Sequence, residues 1–570
     1  MKLFTIGLRS FLTLAALASF TRPEQAAAQG WNWAVVPTGT GSITPTGTGE
    51  GKSRIEATAV DGAGNVVVVG FFGGTMLTCG SFTLTNSDPS GATDDLFVAR
   101  LSPTGTWLQA TQAGSIGDEQ PTALALDAAG TAVVAGNFRG ATVAFGTNAL
   151  TNSGPTGNAD LFVARLSAAG TWTQAVAASS PSGKEIRALA VDAGGTAVVV
   201  GDFAIGAITF GPTTLNNTGT GGERDLFVAR LSPAGTWTQA VRAGGPEGES
   251  ARAVALQADG TAVVAGSFSS ASGSTAATFG TFVLTPQGNQ SNLYVARLNA
   301  AGTWTQAVAA GGAGATFAAR AVAVDAAGNV VVTGDAFDRT STNVFLTFGA
   351  GLSLPFTGNS GFVVARLSAA GTWIQAVGGG LLSGSASGTC GSLVQDASGN
   401  VVVSGLGRDG LQLGSLVLTS TAIRAVYVAR LNPAGTWTQV TAAGGDGVYG
   451  SGGLGVDAAG NATVAGRFEG VAPEVAVFGS FTFAPARTTN AFVAQLGALP
   501  LASKGAAAAE PVIIAPNPAR GFAQLRLPAA PTARTVLLLD AVGRQVHSQA
   551  LPARTSSATL DLTGLAAGLY

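Results

Sequence analysis

The stretch LFVARLSAAGTWTQAV at residues 161–176 decides the fold, because the chain repeats it almost unchanged. Versions of its first twelve residues stand at 96–107, 226–237, 293–304, 362–373 and 426–437. Their tryptophans are Trp107, Trp172, Trp237, Trp304, Trp373 and Trp437, about 65 residues apart. Self-similarity at a fixed period marks supersecondary units whose neighbours bury what one unit cannot bury alone. A second phrase alternates with the first, as VDGAGNVVVVG at 60–70 and VDAGGTAVVVG at 191–201. It occurs seven times, beginning near Val60, Leu126, Val191, Leu256, Val324, Val394 and Val456.

Both phrases read as hairpins. Short runs rich in Val and other apolar residues, bounded by Gly, Asp and Asn, are strand signals. The Asp of the second phrase can bond its own following backbone, and the Gly three residues on can take positive φ. Each period therefore holds four strands, here called A (ALAVD), B (TAVVAG), C (LFVARL) and D (TWTQAV). The A–B and C–D links are tight turns. The B–C link is long and carries an FG…L insert, and the D–A link is intermediate. In an antiparallel sheet, alternate links lie at the same end, so the short turns share one face and the long loops the other.

Repeated four-stranded units without helices predict an all-β fold, a seven-bladed β-propeller. Strands A, B and C occur seven times, but no D strand follows the last C strand, AFVAQL at 491–496. A strand-like WNWAVV at 31–36 precedes the first A strand. It is expected to complete the seventh blade, which ties the chain ends together and removes an exposed sheet edge. The alternating strands of an outer-membrane barrel are a weaker fit. The four-strand period and the lack of aromatic girdles speak against that reading.

Composition narrows the function classes. The formal charge is −2 at pH 7, and without residues 1–28, which carry Lys2, Arg9, Arg22 and Glu24, it is −4. No basic field exists to attract nucleic acid. No apolar run after the N-terminus is long enough to predict a transmembrane helix. Lys2 and Arg9, the apolar run at 11–20 and Ala26-Ala27-Ala28 read as a secretory signal peptide over 1–28. The propeller is expected over 29–497 and an Ala-rich linker over 498–511. Cys79 and Cys390 fall in blades that are not ring neighbours, so they are expected to stay unpaired.

The tail contains Pro516-Asn517-Pro518, a strand-turn LLDAVGR at 538–544 and the ending DLTGLAAGLY at 561–570. These residues resemble the C-terminal sorting domain of the type IX secretion system of Bacteroidetes-type bacteria. The resemblance covers 512–570 and implies a small β-sandwich, the type IX secretion machinery as partner, and a secreted or outer-surface location reached through the periplasm. Such domains usually continue past the Gly-x-Tyr, so the sorting domain is expected to be truncated at Tyr570. More loosely, the repeats are similar to bacterial propeller-repeat families with a VDxxGNVYVAG signature, which implies fold and secretion.

Catalytic options are few. The single histidine, His547, lies in the tail, which excludes histidine-based triads and His-rich metal sites from the repeats. No P-loop, dinucleotide fingerprint or EF-hand loop is present. No cofactor is expected, with Ca²⁺ on acidic loop residues as the one alternative. Residues found in nearly every blade are expected to be scaffold. These are Arg100, Arg165, Arg230, Arg297, Arg366 and Arg430, the A–B turn aspartates, Asp95, Asp160 and Asp225, and the tryptophans.

Function is expected where the repeat is broken. Arg187, Arg252 and Arg320 occupy one position in three consecutive blades, near the mouth of the channel. They form a candidate site for a carboxylate- or sulfate-bearing ligand, together with Glu185, Glu249 and Asp335. The competing expectation is that these arginines pair with Glu185, Glu249 and neighbouring acids. The sequence thus points to a non-catalytic surface protein that binds a protein or glycan. A polysaccharide hydrolase or lyase using carboxylates and a purely structural surface role are the alternatives.

Overall fold

The computed structural model describes residues 30–40, 52–498 and 513–565. It omits 155–157, 181–182, 205, 270–275, 289, 339–343, 350, 357–359, 381–387, 397, 423, 446–447, 470–474, 486–488, 528–533 and 540–544. The expected signal peptide, nearly all of the linker and Arg339 lie outside the described residues. The described elements are all β-strands, with no helix among them. Gly30–Ala498 forms one compact unit, and the C-terminal residues belong to another.

Within the larger unit, seven antiparallel sheets share the order A–B–C–D. The first consists of Ser53–Val60, Val66–Phe72, Asp95–Leu101 and Trp107–Ala113. Its six successors begin at Glu119, Lys184, Glu249, Ala315, Gly388 and Val448. In the seventh, the D position is filled by Trp31–Val35, which pairs antiparallel with Thr489–Leu496 (Trp31 with Leu496, Val35 with Val493). The long B–C insert is itself a hairpin in every repeat, for example Thr142–Phe145 with Asn148–Thr151.

The B and C strands explain why their sequences are nearly continuous apolar runs rather than alternating ones. Every residue of Val66–Phe72 and of Asp95–Leu101 is buried, because each sheet is covered on both faces by its neighbours. One apolar cluster fills each interface between consecutive sheets, and an equivalent cluster of Trp33, Ile55, Val66, Val68, Ala465 and Val493 joins the seventh sheet to the first. Every A strand also packs against the next, and the A strand of the seventh sheet packs against that of the first.

The recurrent residues hold neighbouring sheets together. Arg165 on strand C bonds Gln174 across the C–D pair (3.1 Å) and donates to the Gly195 carbonyl at the next sheet's A–B turn (2.7 Å). Gln174 donates to the Pro233 carbonyl in the next sheet's C–D turn (3.0 Å). The arginine bond recurs from Arg100, Arg230, Arg297, Arg366 and Arg430 to Gly130, Gly260, Gly328, Gly399 and Gly460. These turn glycines have φ of 77–83°, so the turn that presents the carbonyl disfavours a side chain. Four of the tryptophans are anchored likewise: Trp172 stacks edge-on against Phe145 and donates to the Gln112 carbonyl of the preceding sheet (2.9 Å), and Trp237, Trp373 and Trp437 donate to the Ala177, Ala309 and Gly378 carbonyls.

The junction of the seventh and first sheets is built differently. Gln495 stands at the arginine position and bonds Asn32 and Thr463. Trp33 stands at the glutamine position, and its indole N–H donates to the Pro103 carbonyl at 2.8 Å. The cysteines are free and buried, and burial pushes both thiols up to about 12.

In the C-terminal unit, Phe522–Arg526 pairs with Ile513–Arg520 and Ser557–Asp561, and Arg534–Leu539 pairs with Gln545–Leu551. Leu525, Leu538, Leu551 and Leu560 share one core between the two sheets.

Trp33→Ala is expected to cost about 3–5 kcal/mol in denaturant unfolding. Limited proteolysis of that variant is expected to cut first at the N-terminal strand, whereas wild-type protein stays intact there.

Candidate functional site

Each A strand carries a β-bulge at the same place, where the register against strand B slips by one residue. A bulge inserts an extra residue and re-aims its side chain. The inserted residues are, in order, Glu56, Thr122, Arg187, Arg252, Arg320, Gly391 and Gly452. The facing strand B makes room with a glycine in every repeat. A Cβ on Gly201 would sit 1.9 Å from the Glu185 carbonyl oxygen, and one on Gly266 would sit 1.9 Å from that of Ser250. The bulge row was not anticipated from the sequence, although its signal is there: the second phrase ends in glycine in all seven copies.

The three arginines of the row share a position but have different partners. Arg187 pairs with Glu185 and, at 3.0 Å, with Asp202. Asp202 is wholly buried and also accepts from Ser250 (2.9 Å) and Arg224. Arg320 pairs with the buried Asp335 at 2.7 Å, whose other oxygen accepts the Cys390 N–H at 3.0 Å. Burial raises the Asp335 pKa, against the opposing pull of Arg320.

Arg252 lies between these two and has no hydrogen-bond or ion-pair partner among the described residues; its Nε is buried and unbonded. Burial lowers its pKa first, and the charges of Arg187 and Arg320 lower it further. On the same row, Glu56 pairs with Arg54 and is influenced by Arg467, which bonds Glu469 at 2.7 Å.

The structure thus joins Arg187 to Glu185 and Arg320 to Asp335, but separates Glu249 from Arg252. Glu249 is the first residue of its A strand, three residues before the bulge. Its side chain turns into the protein, where it accepts the Gly245 N–H at 2.8 Å and faces Asp225, Glu223 and Arg242. Burial first, then the neighbouring carboxylates Asp225 and Glu223, push its pKa up to about 8. The expectation that Glu249 would neutralise an arginine at the rim is therefore corrected: its carboxyl is turned into the protein, bonded to the Gly245 N–H, and has no contact with Arg252 among the described residues.

Asp95, Asp160 and Asp225 are likewise buried. They pin the long B–C link by accepting backbone N–H groups from Ser87, Ser153 and Thr218 at 2.7–2.8 Å. Among the described residues, no group of three or more His, Cys, Asp or Glu could hold a metal ion, and no helix is long and apolar enough to cross a membrane. A pocket of about 110 Å³ lies between the fifth and sixth sheets, lined by Phe337, Ser360, Thr389, Arg408 and Arg424 among others. It is small beside the several hundred Å³ typical of ligand pockets.

Comparison with known proteins settles one part of the chain. Residues 513–570 match the secretion system C-terminal sorting domain. The protein is therefore exported by type IX secretion to the cell surface or the extracellular space, and it interacts with that machinery. No curated protein matches the chain. Among solved structures, a protein of unknown function from Dyadobacter fermentans DSM 18053 is similar. It is 11% identical with a TM-score of 0.36, over 82% of this chain and 99% of that one.

Two substitutions separate the arginines. Arg320→Gln strips Asp335 of its charged partner and is expected to cost about 1–3 kcal/mol. Arg252→Gln removes no hydrogen bond or ion pair among the described residues. It relieves repulsion from Arg187 and Arg320 more than it loses attraction to Asp202 and Glu185, and is expected to leave stability unchanged or raise it slightly at low salt, with the difference fading as salt rises. Denaturant titration at two ionic strengths checks both. The folded state holds the Glu249 proton more tightly than the unfolded chain does. Its stabilisation is present below pH 4.5 and is lost as pH rises through about 8. Glu249→Gln should flatten the fall in melting temperature between about pH 5 and 8.

Proposed function

We propose that the seven sheets are the blades of a closed seven-bladed β-propeller, occupying 29–497 between a signal peptide at 1–28 and an Ala-rich linker at 498–511. The C-terminal domain at 512–570 delivers it to the surface of a Bacteroidetes-type cell. There it acts as a non-catalytic binding protein for a glycan or protein ligand. In this arrangement the bulge row rings the central channel on the long-loop side, and three consecutive positions are arginine.

The observation that carries this reading is the unpaired Arg252 between two braced arginines. Asp202 and Asp335 fix the guanidiniums of Arg187 and Arg320 and offset their charge. Arg252 keeps donors that nothing among the described residues uses. Three guanidiniums on adjacent strands, one of them unsatisfied, suit a carboxylate or sulfate group, because planar N–H pairs match such oxyanions. Leaving a cation unpaired beside two others costs stability, which is the usual sign of a site shaped for a partner.

Hydrolysis is not favoured by the carboxylates that come together. Asp95, Glu119, Asp225 and Glu249 are at most 2% exposed and serve backbone N–H groups, so they do not reach a polysaccharide.

Two measurements test the proposal. In a glycan and protein-ligand array, the wild-type protein should prefer anionic ligands, and Arg252→Gln should weaken that binding at least tenfold with the fold intact. Equal binding by both proteins, or polysaccharide turnover that falls when an acidic residue is replaced, would overturn it. Removing 513–570 should leave the protein inside the cell envelope, detected by fractionation.

A further inference from the structure

The junctions between the first four sheets contain the same acidic position three times, and only one of the three lacks a built-in cation. Asp95, Asp160 and Asp225 each open a C strand. Twenty-four residues later, at the start of the next A strand, stand Glu119, Lys184 and Glu249 respectively. The approach to each A strand is held alike, by isolated bridges from Gly114 to Ala144, Ser179 to Thr209 and Gly244 to Thr278. The three sites are therefore internal copies of one another.

In the middle copy the arrangement is complete. Lys184 is fully buried, and its ammonium lies 3.0 Å from Asp160 Oδ1 and 2.6 Å from the Ser180 carbonyl oxygen. One negative charge meets one positive charge. In the third copy, Asp225 and Glu249 converge on one point: a Cβ on Gly244 would lie 2.1 Å from Asp225 Oδ1 and 2.8 Å from Glu249 Oε2. There Arg242 donates to Asp225 Oδ2 at 2.6 Å and supplies part of the missing charge.

In the first copy no cation bonds Asp95 or Glu119 among the described residues; Lys52 pairs instead with the neighbouring Asp94 at 2.9 Å. Asp95 is 0% exposed; its Oδ2 accepts the Ser87 N–H and hydroxyl (2.8 Å each), and its Oδ1 has no partner. Glu119 is also 0% exposed, held by the Ser115 N–H (2.9 Å) and hydroxyl (2.6 Å). The charges acting on Asp95 are those of Asp88 and Asp94, and those on Glu119 are Asp95 and Asp118, all acidic. Ser115 stands at the position of Ser180, whose carbonyl binds the lysine in the middle copy.

We propose that the Asp95–Glu119 junction binds one divalent, oxygen-seeking cation, Ca²⁺ by preference, at the place where the Lys184 ammonium sits in the neighbouring copy. The charge count supports a divalent ion: a lysine balances one carboxylate, and a 2+ ion balances two. The ligand set is oxygen only, two carboxylates and the Ser115 main-chain carbonyl, which suits Ca²⁺ with water completing its shell. A buried carboxylate pair without a counter-ion is costly, and burial with Asp95 close by pushes Glu119 up to about 8. The ion would bridge the first and second sheets beside the long loops, in place of the ion pair that joins the second and third. This site does not depend on the arginine row.

The mature protein, stripped with EDTA, is titrated with CaCl₂ and MgCl₂ by calorimetry and by thermal melting. The expected result is one Ca²⁺ per chain and a melting temperature several degrees higher in Ca²⁺ than in EDTA, with Mg²⁺ weaker. Asp95→Asn should lower Ca²⁺ affinity at least tenfold. Glu119→Lys, which copies the Lys184 arrangement, should fold without Ca²⁺ and no longer respond to it. Wild-type protein that neither binds nor is stabilised by millimolar Ca²⁺ overturns the proposal, because the pair then shares a proton instead. A Ca²⁺ response unchanged in both variants also overturns it, since the ion would then bind elsewhere.

Discussion

The bond from a strand-C arginine to the carbonyl of a left-handed glycine in the next sheet is the constraint on which the larger unit depends. A single four-stranded sheet of Val, Ala and Leu cannot stay folded alone, because both of its faces are apolar. Stacking sheets side by side solves that, but apolar contact is non-directional and tolerates sliding. A guanidinium that must meet one backbone carbonyl sets the register between neighbours. The adjacent glutamine extends the same link to the next C–D turn. Together they account for the arginine, the glutamine and the turn glycine that recur along the chain.

The closing junction shows what the repeat can and cannot vary. Where the last sheet meets the first, the arginine becomes Gln495 and the glutamine becomes Trp33. The indole still donates to a turn carbonyl, so the directional contact survives in another chemistry. The strand that carries it comes from the opposite end of the sequence, and the first and last repeats are held by the same sheet.

Departures from the repeat fall into two layers. At the bulge row, arginine replaces smaller residues in three successive sheets, and the supporting acids one strand away follow suit at Asp202 and Asp335 but not beside Arg252. At the buried starts of the A strands, acid, base and acid alternate as Glu119, Lys184 and Glu249. Adjacent positions three residues apart thus differ in role. One is re-aimed by a bulge and half-buried, and the other is buried against a neighbouring sheet, where charge has to be balanced locally. Glu249 shows how easily the two are confused in a linear reading: it stands three residues from Arg252 and does not pair with it.

The sequence by itself determined the strands, their order and the displaced N-terminal strand, because burial on two faces and tight turns leave a compositional signature that local spacing preserves. It also named the arginines at one repeated position, and the sorting domain through three short motifs. Tertiary structure decided the rest. The bulge that re-aims Glu56, Arg187, Arg252 and Arg320 depends on pairing between strands, although a glycine in each repeat permits it. Which acid neutralises which arginine depends on side chains brought together from different repeats, as Asp202 gathers Arg187, Arg224 and Ser250. The contrast between Asp95–Glu119 and Asp160–Lys184 became physical only once both pairs were seen to be buried across a junction, where a missing counter-charge cannot be supplied by water.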